Sequence, residues 1–346
     1  MPDGREKTIF VTCDRQKGVR TFRGVLRTTR GGVLAFHMYS RKYGYIRPLR
    51  GLLALCVLLG LVITVHGQSI YVLNQYGDPA TISEYSISGA VINPSLVIIG
   101  NYVPDGMALS GSDVFVANAA TNSIGEYDAN SGAAINTSLI TGLAADAIAI
   151  SGTNVFASIP STGTIAEFTT SGALVNSSLI SGLDNPTGIT VSGTNIFVAN
   201  GGSNTIGEYT TSGTLVNAAL VSGLSNPTGI TVSGANIFVA NGGSNTIGEY
   251  TILGSPVNTA LVSGLSDPAG IAIYGSDLFV TNASPLIHTV GEYDATSGAA
   301  INAALITAGY GPVDISISSI PEPSTYTAIL GLAALGFVVI CRRRVA

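Results

Sequence analysis

The sequence predicts an all-β protein: a six-bladed β-propeller of four-stranded blades, its ring closed by a C-terminal strand that completes the first blade. Three observations carry that prediction. A unit of about 41 residues recurs six times between the two ends of the chain. Each copy divides into four short apolar segments punctuated by Gly, Asn, Ser and Thr. The strand count balances only if the last segment joins the first copy.

The repeat is plainest where Asn185–Ser225 is followed by Asn226–Ser266 with six substitutions. More diverged copies keep a Glu-aromatic pair at Glu84-Tyr85, Glu126-Tyr127, Glu167-Phe168, Glu208-Tyr209, Glu249-Tyr250 and Glu292-Tyr293. A period in the forties with β-rich content suits propeller blades, whereas β-solenoid coils are shorter. In the third complete copy the expected strands are Gly188–Ser192, Ile196–Asn200, Thr205–Thr210 and Leu215–Val221. The segments between them hold Gly193-Thr194-Asn195, Gly201-Gly202-Ser203-Asn204 and Thr211–Thr214, which are turn formers. Pro94 and Pro256 fall on the fourth strand of their copies. Proline has no N–H for an interior ladder, so the fourth strand is the outer edge and the first lies at the axis. The first copy opens on its second strand, Ser69–Asn74, and a spare first strand, Val313–Ser318, follows the last copy. Joining them closes the ring and removes two exposed sheet edges.

The order Asn-Pro-x-Gly-Ile-x-Val, Ile-Phe-Val-Ala-Asn, Asn-Thr-Ile-Gly-Glu-Tyr resembles the NHL repeat over most of residues 69–318. The resemblance implies a six-bladed ring. Its chemistry departs from that family: Asn200 and Thr205 stand where an Asp and an Arg are common, so the family's partners do not carry over.

The net charge of −5 is a sum of unlike parts. Twelve Lys and Arg lie in residues 1–50, and the other three are Arg342, Arg343 and Arg344. Residues 68–320 hold sixteen Asp and Glu and no cation, a charge of −16 that repels phosphate backbones and excludes nucleic acid as a partner. Cys13, Cys56 and Cys341 all lie in the terminal segments, so the repeat domain is held by packing and ladders, without disulfides.

The termini read as addresses. In residues 38–67, Arg41, Lys42, Arg47 and Arg50 precede the apolar run Leu52–Val65, and Val65-His66-Gly67 ends in a small residue, the pattern of a signal peptide removed by signal peptidase. Residues 1–37 are then either an over-extended start or a disordered basic arm. At the other end, residues 320–346 run Pro321-Glu322-Pro323, an apolar span over 328–341, and the Arg342-Arg343-Arg344 cluster. Cations after an apolar span resist translocation, so the tail would pause transiently in the inner membrane as a transmembrane helix. The tripartite tail resembles the PEP-CTERM sorting signal of Gram-negative bacteria. That resemblance implies an exosortase as processing partner, an exported product at the cell surface or in the matrix, and an exopolysaccharide context.

Inside residues 68–319 the candidate binding face is the one shared by fourth-to-first linkers and second-to-third turns, with Asn185, Asn200, Asn204, Asn226, Asn241 and Asn245 as its polar groups. Asp105 and Asp146 align before the first strands of neighbouring blades, where two carboxylates could share calcium, although Asp at such positions more often starts a turn. The six repeated Glu residues sit one per blade, more than ~10 Å apart, and do not converge on one substrate. His288 is the one histidine of the repeat domain and has no Cys partner, so a catalytic set is missing. The expectation is a non-enzymatic binding or scaffold propeller without a cofactor, facing neutral glycan or exopolysaccharide. The alternative is a calcium-dependent hydrolase or lyase of the lactonase kind.

Overall fold

The computed structural model describes the backbone of residues 7–15, 18–28, 34–40 and 44–45, and backbone with side chains for 68–100, 103–308 and 311–318. In the unit Met1–Val65, the strands Lys7–Arg15, Gly18–Thr28, Leu34–Ser40 and Gly44–Tyr45 pair as an antiparallel meander. The apolar run of the signal segment, the span 328–341, and Pro321, Glu322, Pro323, Arg342, Arg343 and Arg344 lie outside the described residues.

The second unit contains six antiparallel sheets of four strands, five of them in chain order from first to fourth. The blade holding Asn185 shows why. Its strands Pro186–Ser192, Asn195–Asn200, Thr205–Thr210 and Leu215–Ser222 are joined by tight turns in which Gly193 and Gly213 take left-handed φ values of 59° and 84°. Only glycine adopts that backbone at little cost. The outer strand is bulged at the same place in every blade: Glu208 pairs with Asn217, and Tyr209 then pairs with Leu215. Asn217 Oδ1 accepts the Ala219 N–H at 3.1 Å, capping a backbone group that the bulge frees.

Blade 1 combines both ends of the unit. Pro312–Ile317 is its inner strand, followed outward by Ser69–Asn74, Ala80–Ser86 and Val91–Gly100. Ser318 N–H donates to Ser69 O at 3.0 Å, and Ser69 N–H donates to Ser318 Oγ at 2.9 Å. The inner strands of successive blades touch all the way round, with Pro312–Ile317 against both Pro268–Tyr274 and Pro104–Ser110. This is the closure that strand counting predicted.

The core is not one mass but six apolar clusters, each between two neighbouring blades. In each, the aromatic after the repeated Glu packs back onto the preceding blade. Tyr209 lies with Ala149, Phe156, Ile165 and Ile180, and Tyr85 with Phe279, Val290 and Ile306 across the seam. The Tyr ring covers the glycine two residues before it: a Cβ on Gly207 would meet the Tyr209 ring at 2.8 Å. Where Phe168 replaces Tyr, Ala166 replaces that glycine. All six clusters draw on residues 70–315, so the segment 68–320 contains its whole core.

Near the axis Gly106, Gly188, Gly229 and Gly270 face the next inner strand, and a Cβ on any of them would come within 3 Å of its backbone. Replacing Gly229 by Ala should drive a methyl into the Ala269 carbonyl oxygen. We expect a loss of about 1–3 kcal/mol, a typical overpacking cost, read as a Tm lowered by several degrees in thermal unfolding followed by circular dichroism.

Candidate functional site

The linkers into each inner strand and the turns between second and third strands share one face, and they are tied together. Gly201 N–H donates to Asn185 O at 2.9 Å and Gly202 N–H to Asp184 O at 3.0 Å; Gly242 and Gly243 repeat this with Asn226 and Ser225, each at 3.0 Å. Neighbouring blades are also stitched. Asn204 Oδ1 accepts the Asn226 N–H at 2.6 Å, and Asn245 Oδ1 accepts the Asp267 N–H at 2.8 Å. Asn185, Asn204, Asn226, Asn245 and Asp267 all hold left-handed φ between 46° and 56°, a conformation that Asn and Asp tolerate best after glycine. The face is therefore a set of preordered polar loops.

The structure divides the six asparagines expected there. Asn185, Asn226 and Asn245 are exposed, and Asn204 is half-buried. Asn200 and Asn241 are 3% exposed, because they end the second strand and turn into the blade. Asn241 Oδ1 accepts the Ser225 N–H at 3.2 Å, so it builds the linker and offers little to a ligand. Among the described residues, Asn74, Asn118 and Asn200 keep a buried Oδ1 without a hydrogen-bond partner.

Asp105 and Asp146 come close enough to influence one another. Burial, and then the charge of Asp146, push the Asp105 carboxyl up to about 6, against hydrogen bonds from Ala119 N–H and from Gln75 Nε2 at 2.7 Å. Burial raises Asp146 as well. Their surroundings suit calcium poorly. Calcium takes six to eight oxygens, whereas the lone pairs of Asp105 meet N–H donors, and the described residues contain no group of three or more metal-binding side chains.

A third aspartate, Asp314, was not singled out by sequence reasoning. It occupies the inner strand of blade 1 at the position where four other blades have glycine. Its Oδ2 accepts the Met107 N–H of blade 2 at 2.7 Å and its Oδ1 the Ile315 N–H at 2.8 Å. Burial still pushes its carboxyl up to about 6. The signal was present in the sequence, as a charge in a column of glycines.

The repeated Glu residues lie one per blade, as expected, but their partners are side chains of the first-to-second turns. Asn154, Asn195 and Asn236 Nδ2 donate to Glu167, Glu208 and Glu249 Oε1 at 2.8, 2.6 and 2.7 Å. Ser69 Oγ does the same for Glu84 at 2.7 Å. In blades 2 and 6 Asp113 or Asp277 stands in the place of that Asn, and Glu126 and Glu292 are raised by burial and then by that neighbouring charge. Asp113 and Glu126 also line an open cleft of about 550 Å³ with Asn136, Thr170 and Ser171, on the face opposite the asparagine loops. His288 stands in the second-to-third turn of blade 6, where its carbonyl accepts the Ala308 N–H at 2.8 Å.

Residues 319–344 match the PEP-CTERM protein-sorting motif. No curated protein matches the chain. Among solved structures, a chain of a nidogen/laminin complex is 17% identical, covering 73% of this chain and 99% of that one with a TM-score of 0.63. A Bacteroides uniformis protein provisionally assigned as a 6-phosphogluconolactonase is 15% identical, covering 72% of this chain and 84% of that one at a TM-score of 0.53. At these identities the likeness shows the propeller fold alone.

Proposed function

We propose that this six-bladed propeller, exported under a PEP-CTERM sorting motif, is a non-enzymatic binding or scaffold domain of the cell envelope surface, whose asparagine-rich face engages neutral glycan of the surrounding matrix. The observation that carries the reading is the placement of the chain ends. First strands run from the linker face to the opposite face, and second strands run back. Ser318 and Ser69, paired by two hydrogen bonds, therefore both leave on the face remote from Asn185, Asn226 and Asn245. A domain held by its tail keeps those loops free. Uncharged amide and hydroxyl groups on rigid loops suit sugar hydroxyls, and the surface charge of the domain disfavours anionic polymers.

The test is retention of the purified 68–320 segment on neutral exopolysaccharide and on a glycan array. Binding weakened at least about tenfold by Asn185→Gly with Asn226→Gly, which remove the amides but keep the left-handed backbone, at unchanged Tm, supports the reading. No retention of the unaltered domain overturns the glycan part. A Tm raised by millimolar calcium and insensitive to calcium in Asp105→Asn with Asp146→Asn would instead favour the hydrolase or lyase alternative.

A further inference from the structure

The fourth strands form the rim of the ring, and each is the outermost strand of its sheet. None of the six carries a charged residue, although the domain holds sixteen acidic ones. Each rim strand starts with aliphatic side chains that remain open to solvent. Ile135, Leu174, Val175, Leu215, Val216 and Ile301 are 52–60% exposed. In a monomer this is an unusual concentration of free apolar surface on unpaired strand edges.

We propose that the rim strands of blades 2, 3, 4 and 6 are a self-association surface, and that their partner is the rim of a second copy of this chain. Charge decides the partner. Two domains of −16 repel when they approach face to face, because the acidic residues lie on the inner three strands, the turns and the linkers. Rim to rim, only neutral strands meet, and aliphatic side chains leave water on both sides. Blades 1 and 5 are poorer edges, since Pro94 and Pro256 interrupt their fourth strands. The Asn136, Asn176, Asn217 and Asn302 side chains accept N–H groups two residues on at 3.0–3.2 Å, which blunts continuous strand addition and confines the contact to the aliphatic start of each edge.

Area sets the strength. An eight-residue edge spans about 26 Å, and one pair of convex rims covers far less than the ~800 Å² per partner of a stable dimer. Each contact is weak, but a ring offers several, so association grows steeply when copies are concentrated on one surface. The inference is independent of the ligand proposed above.

Sedimentation velocity of the 68–320 segment tests it. The expected result is a weight-average mass that rises with concentration between about 10 μM and 1 mM. Ile135→Lys, Val175→Lys and Val216→Lys together should weaken that association at least about tenfold at an unchanged circular dichroism spectrum. Ser203→Lys with Ser244→Lys, which place cations on exposed second-to-third turns at the end of the blade remote from the aliphatic starts of the fourth strands, should leave the association intact or strengthen it. A monomer at every concentration overturns the proposal, as does a rim variant that associates like the parent. A monomer that instead pellets with phosphatidylethanolamine and phosphatidylglycerol vesicles, and loses this with the rim substitutions, overturns it in favour of a lipid partner.

Discussion

Deleting Gly311–Ser318 should leave a domain with no cooperative unfolding transition, whereas ending the chain after Ile320 should leave Tm unchanged. The closing strand is the inner strand of blade 1, pairs with Ser69–Asn74, and packs against the inner strands of both neighbouring blades. Ile315 belongs to the cluster that joins blade 6 to blade 1, and Val313 packs on the cluster that joins blade 1 to blade 2. Asp314 reaches the Met107 backbone of blade 2. Without the strand, Ile70 and Val72, both fully buried, lose their inner cover, and the Ser69–Asn74 edge is exposed. Burying an Ile is worth about 2–3 kcal/mol, and uncovering several such side chains together approaches the entire stability of a domain. A point variant separates closure from chain length: Ile315→Asp places an unpaired charge in the seam cluster and should lower Tm by about 10 °C or more. A deletion variant that melts like the parent would mean that the ring does not depend on its seam.

The propeller should be more stable in mild acid than at neutral pH. Asp314 and Asp105 both titrate at about 6 in the folded domain, above the ordinary aspartate value of 3.8. A raised carboxyl means that the native state holds protons more tightly than the unfolded chain. Stability is then fully present below about pH 4, falls as pH rises through 4 to 6, and is flat above that. The shift for Asp314 corresponds to about 3 kcal/mol, and the partly exposed Asp105 adds less. Asp146, Glu126, Glu249 and Glu292 shift in the same direction. Asp128 and Asp294, lowered by Ser131 and Ser297, oppose them from exposed turns. With no Lys or Arg in residues 68–320, acidification breaks no Lys or Arg ion pair there and relieves the charge of −16. We expect Tm to rise by about 5–10 °C between pH 7 and pH 4.5, with Asp314→Asn flattening that rise. A Tm that falls steadily over this range would contradict the placement of Asp314.

The period, the four strands of each copy and the closing strand were all legible in the sequence. Their signals are local: alternating apolar residues, turn residues at fixed intervals, and strands that can be counted. Boundaries differed by one or two residues, as at Pro186–Ser192 against an expected Gly188–Ser192, because the ladder extends beyond the apolar core of a strand. The sorting motif was legible for the same reason, as an ordered run of residue types matched over 319–344.

The fate of individual polar groups was not. Asn200 and Asn204 are the same residue four positions apart; one is buried at a strand end and the other bridges to the next blade. Asn195 donates a hydrogen bond to Glu208 from thirteen residues away, whereas Glu126 is raised by burial and then by Asp113 in the equivalent place. The sequence by itself determined the repeated unit, the number of blades and the neutral rim. Only the tertiary structure decided which asparagines reach solvent, how each Glu is held, and that Asp314 is enclosed. Those outcomes depend on the approach of neighbouring blades, where a few ångströms of backbone separation determine whether a polar group meets water, an amide or another carboxylate.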